Sequence, residues 1–146
     1  TKLNYVNNDA PVCESIHRPV HIENIMDGSI LEPEWLNGKR IYGLSAIGNP
    51  ESFTYTLKGL GADLIKHRKF HDHHNYNREE IISIISEAKS LNADAIVVTQ
   101  KDIVKIRNMD IKGFNILSLK IEMQITKGIE MYEEAIDRVL NLDVNN

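Results

Sequence analysis

The sequence is short of cysteine, of surplus basic charge and of long apolar runs, and each scarcity removes a class of protein. Cys13 is the one cysteine and cannot close an internal disulfide, which fits a reducing compartment. No run of about 18 apolar residues occurs, so no segment reads as a membrane-spanning helix. Lys and Arg number 17 against 21 Asp and Glu, for a net charge of -4, which is not the basic surplus of a nucleic-acid binder. No arginine-rich or apolar leader opens the sequence. It starts at Thr1, and the expectation is a piece cut from something longer.

Signature motifs are missing too. A phosphate-binding loop needs G-x-x-x-x-G-K-[ST]. Gly38-Lys39 is the one Gly-Lys pair, but Arg40 follows it and Pro33 stands where the first glycine belongs. Neither a G-x-G-x-x-G dinucleotide fingerprint nor a G-x-S-x-G nucleophile elbow occurs.

What is present suffices for one globular domain. The 146 residues are 42% hydrophobic and 26% charged, and a chain of that size buries roughly 70% of its unfolded surface. Two short extended stretches are expected at Val12–Ile16 and Val20–Glu23, broken by Arg18-Pro19. A helical turn at Glu32–Leu36 follows. Then strands alternate with helices. Ile41–Ala46, Leu64–Phe70, Asp94–Thr99 and Phe114–Leu119 read as strands, the last running on toward Ile125. Asn49-Pro50 opens one helix, Asn77-Arg78-Glu79-Glu80 opens another as a capping box, and a short one is expected at Asp102–Ile106. A final helix presents Ile129, Tyr132, Ile136, Val139 and Leu140 on one face, and Asp143–Asn146 should fray. This alternation predicts an α/β fold with a mostly parallel sheet and helices on both faces.

In such sheets ligands bind beyond the carboxyl ends of the strands. Three polar joints fall there: Gly48-Asn49-Pro50, His71-Asp72-His73-His74 and Thr99-Gln100-Lys101-Asp102. Four of the six histidines lie between residues 67 and 74. Read from composition, they form a metal site, an acid–base centre or a solvated loop. No metal site is expected, because neighbouring residues chelate one ion poorly. Lys101 is placed to hold a phosphate beside the helix start, or else stands in water while Asp102 caps the helix. Asn49 reads chiefly as a cap.

Together these joints carry a resemblance. Ser45-Ala46-Ile47-Gly48-Asn49-Pro50-Glu51-Ser52-Phe53, Phe70-His71-Asp72-His73-His74-Asn75-Tyr76 and Val98-Thr99-Gln100-Lys101-Asp102-Ile103-Val104-Lys105 resemble, in order and spacing, the C-terminal half of the tetraacyldisaccharide 4'-kinase family. The resemblance covers about Ala10 to Ile125. It implies a Rossmann-like three-layer domain over residues 26–146. Residues 1–25 would be a two-stranded linker toward an N-terminal P-loop kinase domain. It implies an enzyme that transfers the γ-phosphoryl of ATP, with Mg²⁺, to the 4'-hydroxyl of a lipid A precursor disaccharide at the cytoplasmic side of the bacterial inner membrane. This piece alone would be soluble and inactive, holding no cofactor itself. On the motif match, His73 and Asp72 are the implied catalytic pair. Asn49, Thr99, Lys101 and Asp102 are implied to lie near substrate or phosphate. The family carries Pro where this chain has His71 and Asn75, and Glu where it has Gln100. The alternatives are a non-catalytic binding module that kept the fold and a small metal-binding protein built on the histidine loop.

Overall fold

The computed structural model describes residues 12–143. Residues 144–146, expected to fray, and residues 1–11 of the expected linker lie outside the described residues. The order is β1 (Glu14–Asn24), β2 (Ile30–Leu31), a 3-10 turn (Pro33–Leu36), β3 (Arg40–Ser45), α1 (Pro50–Gly59), β4 (Asp63–Lys69), α2 (Arg78–Ser90), β5 (Ala95–Thr99), α3 (Gln100–Ile106), β6 (Ile116–Lys127) and α4 (Ile129–Asp143). The six strands form one sheet in the order β2-β1-β6-β5-β3-β4. The pairs β3/β4, β3/β5 and β5/β6 are parallel, whereas β1/β2 is antiparallel. The predicted α/β class with a mostly parallel sheet is what the chain adopts.

Side-chain alternation in the strands sorts the core into two layers. Tyr42, Leu44, Ile96, Val98 and Ile116 pack with Ile81, Ile84, Ile85 and Ala88 of α2 and Ile103 and Ile106 of α3. Ile41, Ala95, Val97, Leu117 and Leu119 meet Phe53 and Leu57 of α1 on the other layer. Strands buried on both faces read as unbroken apolar runs, as Ala95-Ile96-Val97-Val98 does.

The helix starts are held as the sequence specifies. Asn49 accepts the Ser52 N–H at 3.2 Å. Asn77 and Glu80 form a reciprocal capping box, with Glu80 N–H to Asn77 Oδ1 at 2.8 Å and Asn77 N–H to Glu80 Oε2 at 3.0 Å.

Two expectations are corrected. The strand is not broken at Arg18-Pro19, since β1 runs from Glu14 to Asn24 through it. Proline's fixed φ lies within the extended range, so the ring removes a donor without ending the strand. Helix α3 starts at Gln100 rather than Asp102, because the Thr99 side chain is its cap and accepts the Asp102 N–H at 3.2 Å.

By contact density the chain divides into two compact units, residues 19–121 and residues 1–18 with 122–146. Strands β1 and β6 contribute to both. In the second unit Thr126 Oγ1 donates to the Glu14 carbonyl at 3.2 Å, and Cys13 Sγ to the Gly128 carbonyl at 3.3 Å. Gly128 turns the chain from β6 into α4 at φ 78°. A Cβ there would lie 2.7 Å from the Val12 carbonyl oxygen, so only glycine fits.

One histidine of the cluster is half-buried within the domain. His67 on β4 lies 2.8 Å from Ser45 Oγ through Nε2 and 2.6 Å from Thr54 Oγ1 through Nδ1, with Phe53 edge-on at 5.7 Å. Its ring lies over Gly43, where a Cβ would come within 3.2 Å of it. Burial, helped by the Lys69 charge, pulls its pKa from 6.5 down to about 4. Between those two values the unfolded chain binds the proton and the folded chain does not. Folding stability is therefore expected to fall as pH drops from 6.5 to about 4. Urea midpoints across that range should fall less steeply for His67→Gln than for the wild type. An unchanged slope would separate His67 from the acid response.

Candidate functional site

The three polar joints do converge, and they do so on Ala46 at the carboxyl end of β3. The Ala46 N–H donates to both oxygens of Asp102, at 3.1 and 3.2 Å. Its carbonyl accepts the His73 N–H at 3.3 Å. One peptide segment thus ties the β5–α3 joint to the histidine loop.

Asp102 is fully buried, with 0% of its surface exposed. Besides the Ala46 N–H it accepts the Thr99 hydroxyl at 2.6 Å and the Tyr76 hydroxyl at 3.2 Å. A carboxylate out of water is tolerable only when its lone pairs are met by donors, and here only donors surround it. Burial first, and then the negative charge of Asp102, drives the Tyr76 phenol pKa well above its usual value. Chain connections from β3 run to β4 on one side, while β5 lies on the other. The crevice between β3 and β5 is therefore the switch point where such sheets accept a ligand. Here the domain's own carboxylate fills it.

The histidine loop lies beside this knot. Phe70 N–H donates to the Ser45 carbonyl at 2.8 Å. His74 stacks on Phe70 at 4.4 Å and 19° and meets Tyr76 edge-on. Its Nε2 is 3.2 Å from Glu80 Oε2, its Nδ1 is 3.3 Å from His71 Nε2, and its carbonyl accepts Lys105 Nζ at 2.8 Å. The Asn77 N–H and then His74 hold the Glu80 carboxyl below its usual pKa.

His73 behaves differently from its neighbours. Its backbone is left-handed, at φ 62°, a region that costs a non-glycine residue free energy. Its side chain is 89% exposed. Asp72 Oδ1 accepts the His73 N–H at 3.0 Å, and Asp72 Oδ2 stands 3.7 Å from His73 Nε2, within ion-pair range but beyond a hydrogen bond. Gly48 lies beside this pair, where a Cβ would stand at ordinary van der Waals distance from Asp72 Oδ2.

The remaining candidates divide by role. Asn49 is exposed and occupied as the α1 cap. Thr99 is half-buried and engaged with Asp102 at both its donor and its acceptor. Lys101 is exposed and forms no ion pair among the described residues. The four clustered histidines separate into three settings: His67 half-buried between Ser45 and Thr54, His74 paired with Glu80 and with the exposed His71, and His73 outside. Among the described residues no three His, Cys, Asp or Glu side chains are arranged to hold a metal ion. Tyr76 and Glu80 are the partners that sequence reading passed over. Glu80 was visible only as a cap, and nothing in the sequence marks the Tyr76–Asp102 contact.

The fold and this edge define a class: an open α/β domain that closes its own ligand crevice and offers an Asp–His pair outward. A family profile described as tetraacyldisaccharide-1-P 4'-kinase matches residues 2–141. The chain belongs to that family. It is 33% identical over 116 residues to the tetraacyldisaccharide 4'-kinase of Syntrophus aciditrophicus, covering 80% of this chain and 31% of the relative. To the enzyme of the same name from Chelativorans sp. it is 37% identical over 91 residues, 62% of this chain and 25% of the relative. A crystal structure of the "apo" form of LpxK from Aquifex aeolicus in complex with ATP matches with a TM-score of 0.54 at 19% identity, over 90% of this chain and 37% of that one. That likeness shows the shared fold. The chain spans about a third of the length of the curated relatives it matches.

Asp102→Asn brings a donor nitrogen where only donors converge. It should lower the unfolding free energy by about 2–4 kcal/mol, and Tyr76→Phe by about 1 kcal/mol. Urea unfolding of the two variants measures both. Equal losses would show that Asp102 does not hold the three segments together.

Proposed function

We propose that this chain is the C-terminal domain of a tetraacyldisaccharide 4'-kinase, and that Asp72 and His73 are its contribution to catalysis. The observation that carries the reading is His73 itself. An exposed imidazole in a left-handed backbone conformation, fixed to Ala46 and paired with an adjacent carboxylate, is arranged for acid–base work on something outside the domain.

In this reading ATP and Mg²⁺ are held by an N-terminal P-loop domain, since the described residues offer no cation cluster and the sequence has no phosphate loop. Mg²⁺ would supply charge neutralisation on the phosphates there. The Asp72–His73 pair orients the sugar 4'-hydroxyl and takes its proton. The oxygen–phosphorus bond then forms as the bond between the γ-phosphorus and the β–γ bridging oxygen breaks, and ADP leaves. Lys101, exposed at the same edge, faces anionic groups of substrate. Asn49, Thr99 and Asp102 act by holding the loop ends. Residues 1–25 serve as the linker toward the kinase domain. The lipid substrate places the whole enzyme at the cytoplasmic face of the inner membrane. No helix among the described residues is long and apolar enough to cross that membrane.

Two measurements bear on this. In the full-length enzyme, His73→Ala should lower kcat by about 10²–10⁴-fold; a rate near wild type would leave His73 a solvated loop residue. The 146-residue chain alone should transfer no phosphoryl group from ATP to the disaccharide 1-phosphate, and measurable turnover by it would overturn the division of labour.

A further inference from the structure

Helix α4 carries an apolar stripe that nothing among the described residues covers. Ile129, Tyr132, Ile136, Val139 and Leu140 recur at helical spacing, and each has between 40% and 61% of its surface exposed. Tyr132, Ala135, Ile136, Val139 and Leu140 line a shallow depression of about 400 Å³ with no polar surface.

The described residues of the unit to which α4 belongs share this deficit. Among the described residues, every buried hydrophobic side chain lies between Ile22 and Leu119, inside the other unit. Among the described residues 14 large hydrophobics stand exposed, and nine of these lie in residues 12–18 or 122–140. The described part of this unit buries no hydrophobic side chain to offset the entropy of ordering it. Apolar surface of this kind marks an interface.

Charge selects the occupant. Around the stripe, α4 exposes Glu130, Glu133, Glu134 and Asp137 against Arg138 alone. Helices that lie on anionic membranes carry Lys and Arg on the polar face, so this one is repelled. A symmetric pairing of two copies would oppose two acidic rims. The matched relatives have about two thirds of their length outside the span shared with this chain.

We propose that the α4 stripe is the docking surface for that remaining part of the family polypeptide, which presents an apolar groove rimmed by Lys and Arg. The proposal rests on the kinase-domain reading for the identity of the occupant. It adds that α4 works as a fastener to the other domain and is no part of the α/β core.

The test compares hydrogen exchange in the 146-residue chain with exchange in the product of its whole gene. Amides of residues 129–140 should exchange at least about tenfold more slowly in the whole product, as docked amides do. The double variant Ile136→Glu, Val139→Glu should return them to the fast rate. In the short chain the same variant should leave the urea midpoint unchanged, which shows that the fold survives it.

Equal exchange in both proteins would overturn the proposal, as would a gene that encodes nothing beyond these residues. A concentration-dependent dimer of the short chain, lost in the double variant, would assign the surface to a second copy instead. Flotation with phosphatidylglycerol vesicles, lost in the same variant, would assign it to lipid. Protected α4 in a product without kinase activity retires the kinase reading and keeps the surface; activity with unprotected α4 does the reverse.

Discussion

Much of the candidate site hangs on one buried carboxylate. Asp102 gathers the Ala46 N–H, the Thr99 hydroxyl and the Tyr76 hydroxyl, and those three donors come from the end of β3, the end of β5 and the histidine loop. In a parallel sheet the carboxyl ends of the strands are where the chain leaves regular structure, and where backbone N–H groups lose their ladder partners. Most open sheets leave those groups to a ligand or to water. Here an internal side chain satisfies the Ala46 N–H and ties three segments of the edge together. No buried side-chain polar atom among the described residues lacks a hydrogen-bond partner.

That arrangement also limits what this domain can do. The N–H that would greet a phosphate at the switch point is already bonded, and a fixed negative charge stands behind it. An anionic ligand entering there would meet like charge at close range. In the proposed function the domain's chemistry lies further out, on the loop that the carboxylate holds. Ala46 transmits the constraint directly, because its N–H fixes Asp102 and its carbonyl fixes the His73 N–H. The left-handed conformation of His73 is sustained by this bond and by the Asp72 carboxylate on the same N–H. Strain of this size persists only where the surroundings determine it from several directions.

The sequence declares local features and hides tertiary ones. The caps at Asn49 and Asn77, the apolar run of β5 and the alternation of elements all express interactions within a few residues, and they were legible. So was the convergence of three polar joints, because sheet topology alone brings strand ends together. What each joint contributes was not legible. Asp102 reads as a helix-end charge, yet its partner Tyr76 is 26 residues away. His67 counts in composition as one of a cluster. Its place on β4 sets it, half-buried, between Ser45 and Thr54 and gives it partners the other three do not share. Continuity of β1 through Pro19 depends on pairing with strands distant in sequence, which a dipeptide cannot disclose.

The histidine loop fits the same account. A proline at position 71 or 75 would stiffen the loop through its fixed φ, and this chain has His71 and Asn75 there. His71 supplies restraint by contact instead. Its Nδ1 lies 3.0 Å from the Asp72 carbonyl, and its ring meets His74 edge-on at 5.0 Å. His74 is itself clamped by Phe70, Glu80 and Lys105. Rigidity gained through packed rings depends on tertiary structure being intact, whereas rigidity from proline is written into the chain. The loop of this protein is therefore ordered only as part of the folded edge. Of its three imidazoles, His71 and His74 are engaged with each other and with their neighbours, and His73 is left facing outward.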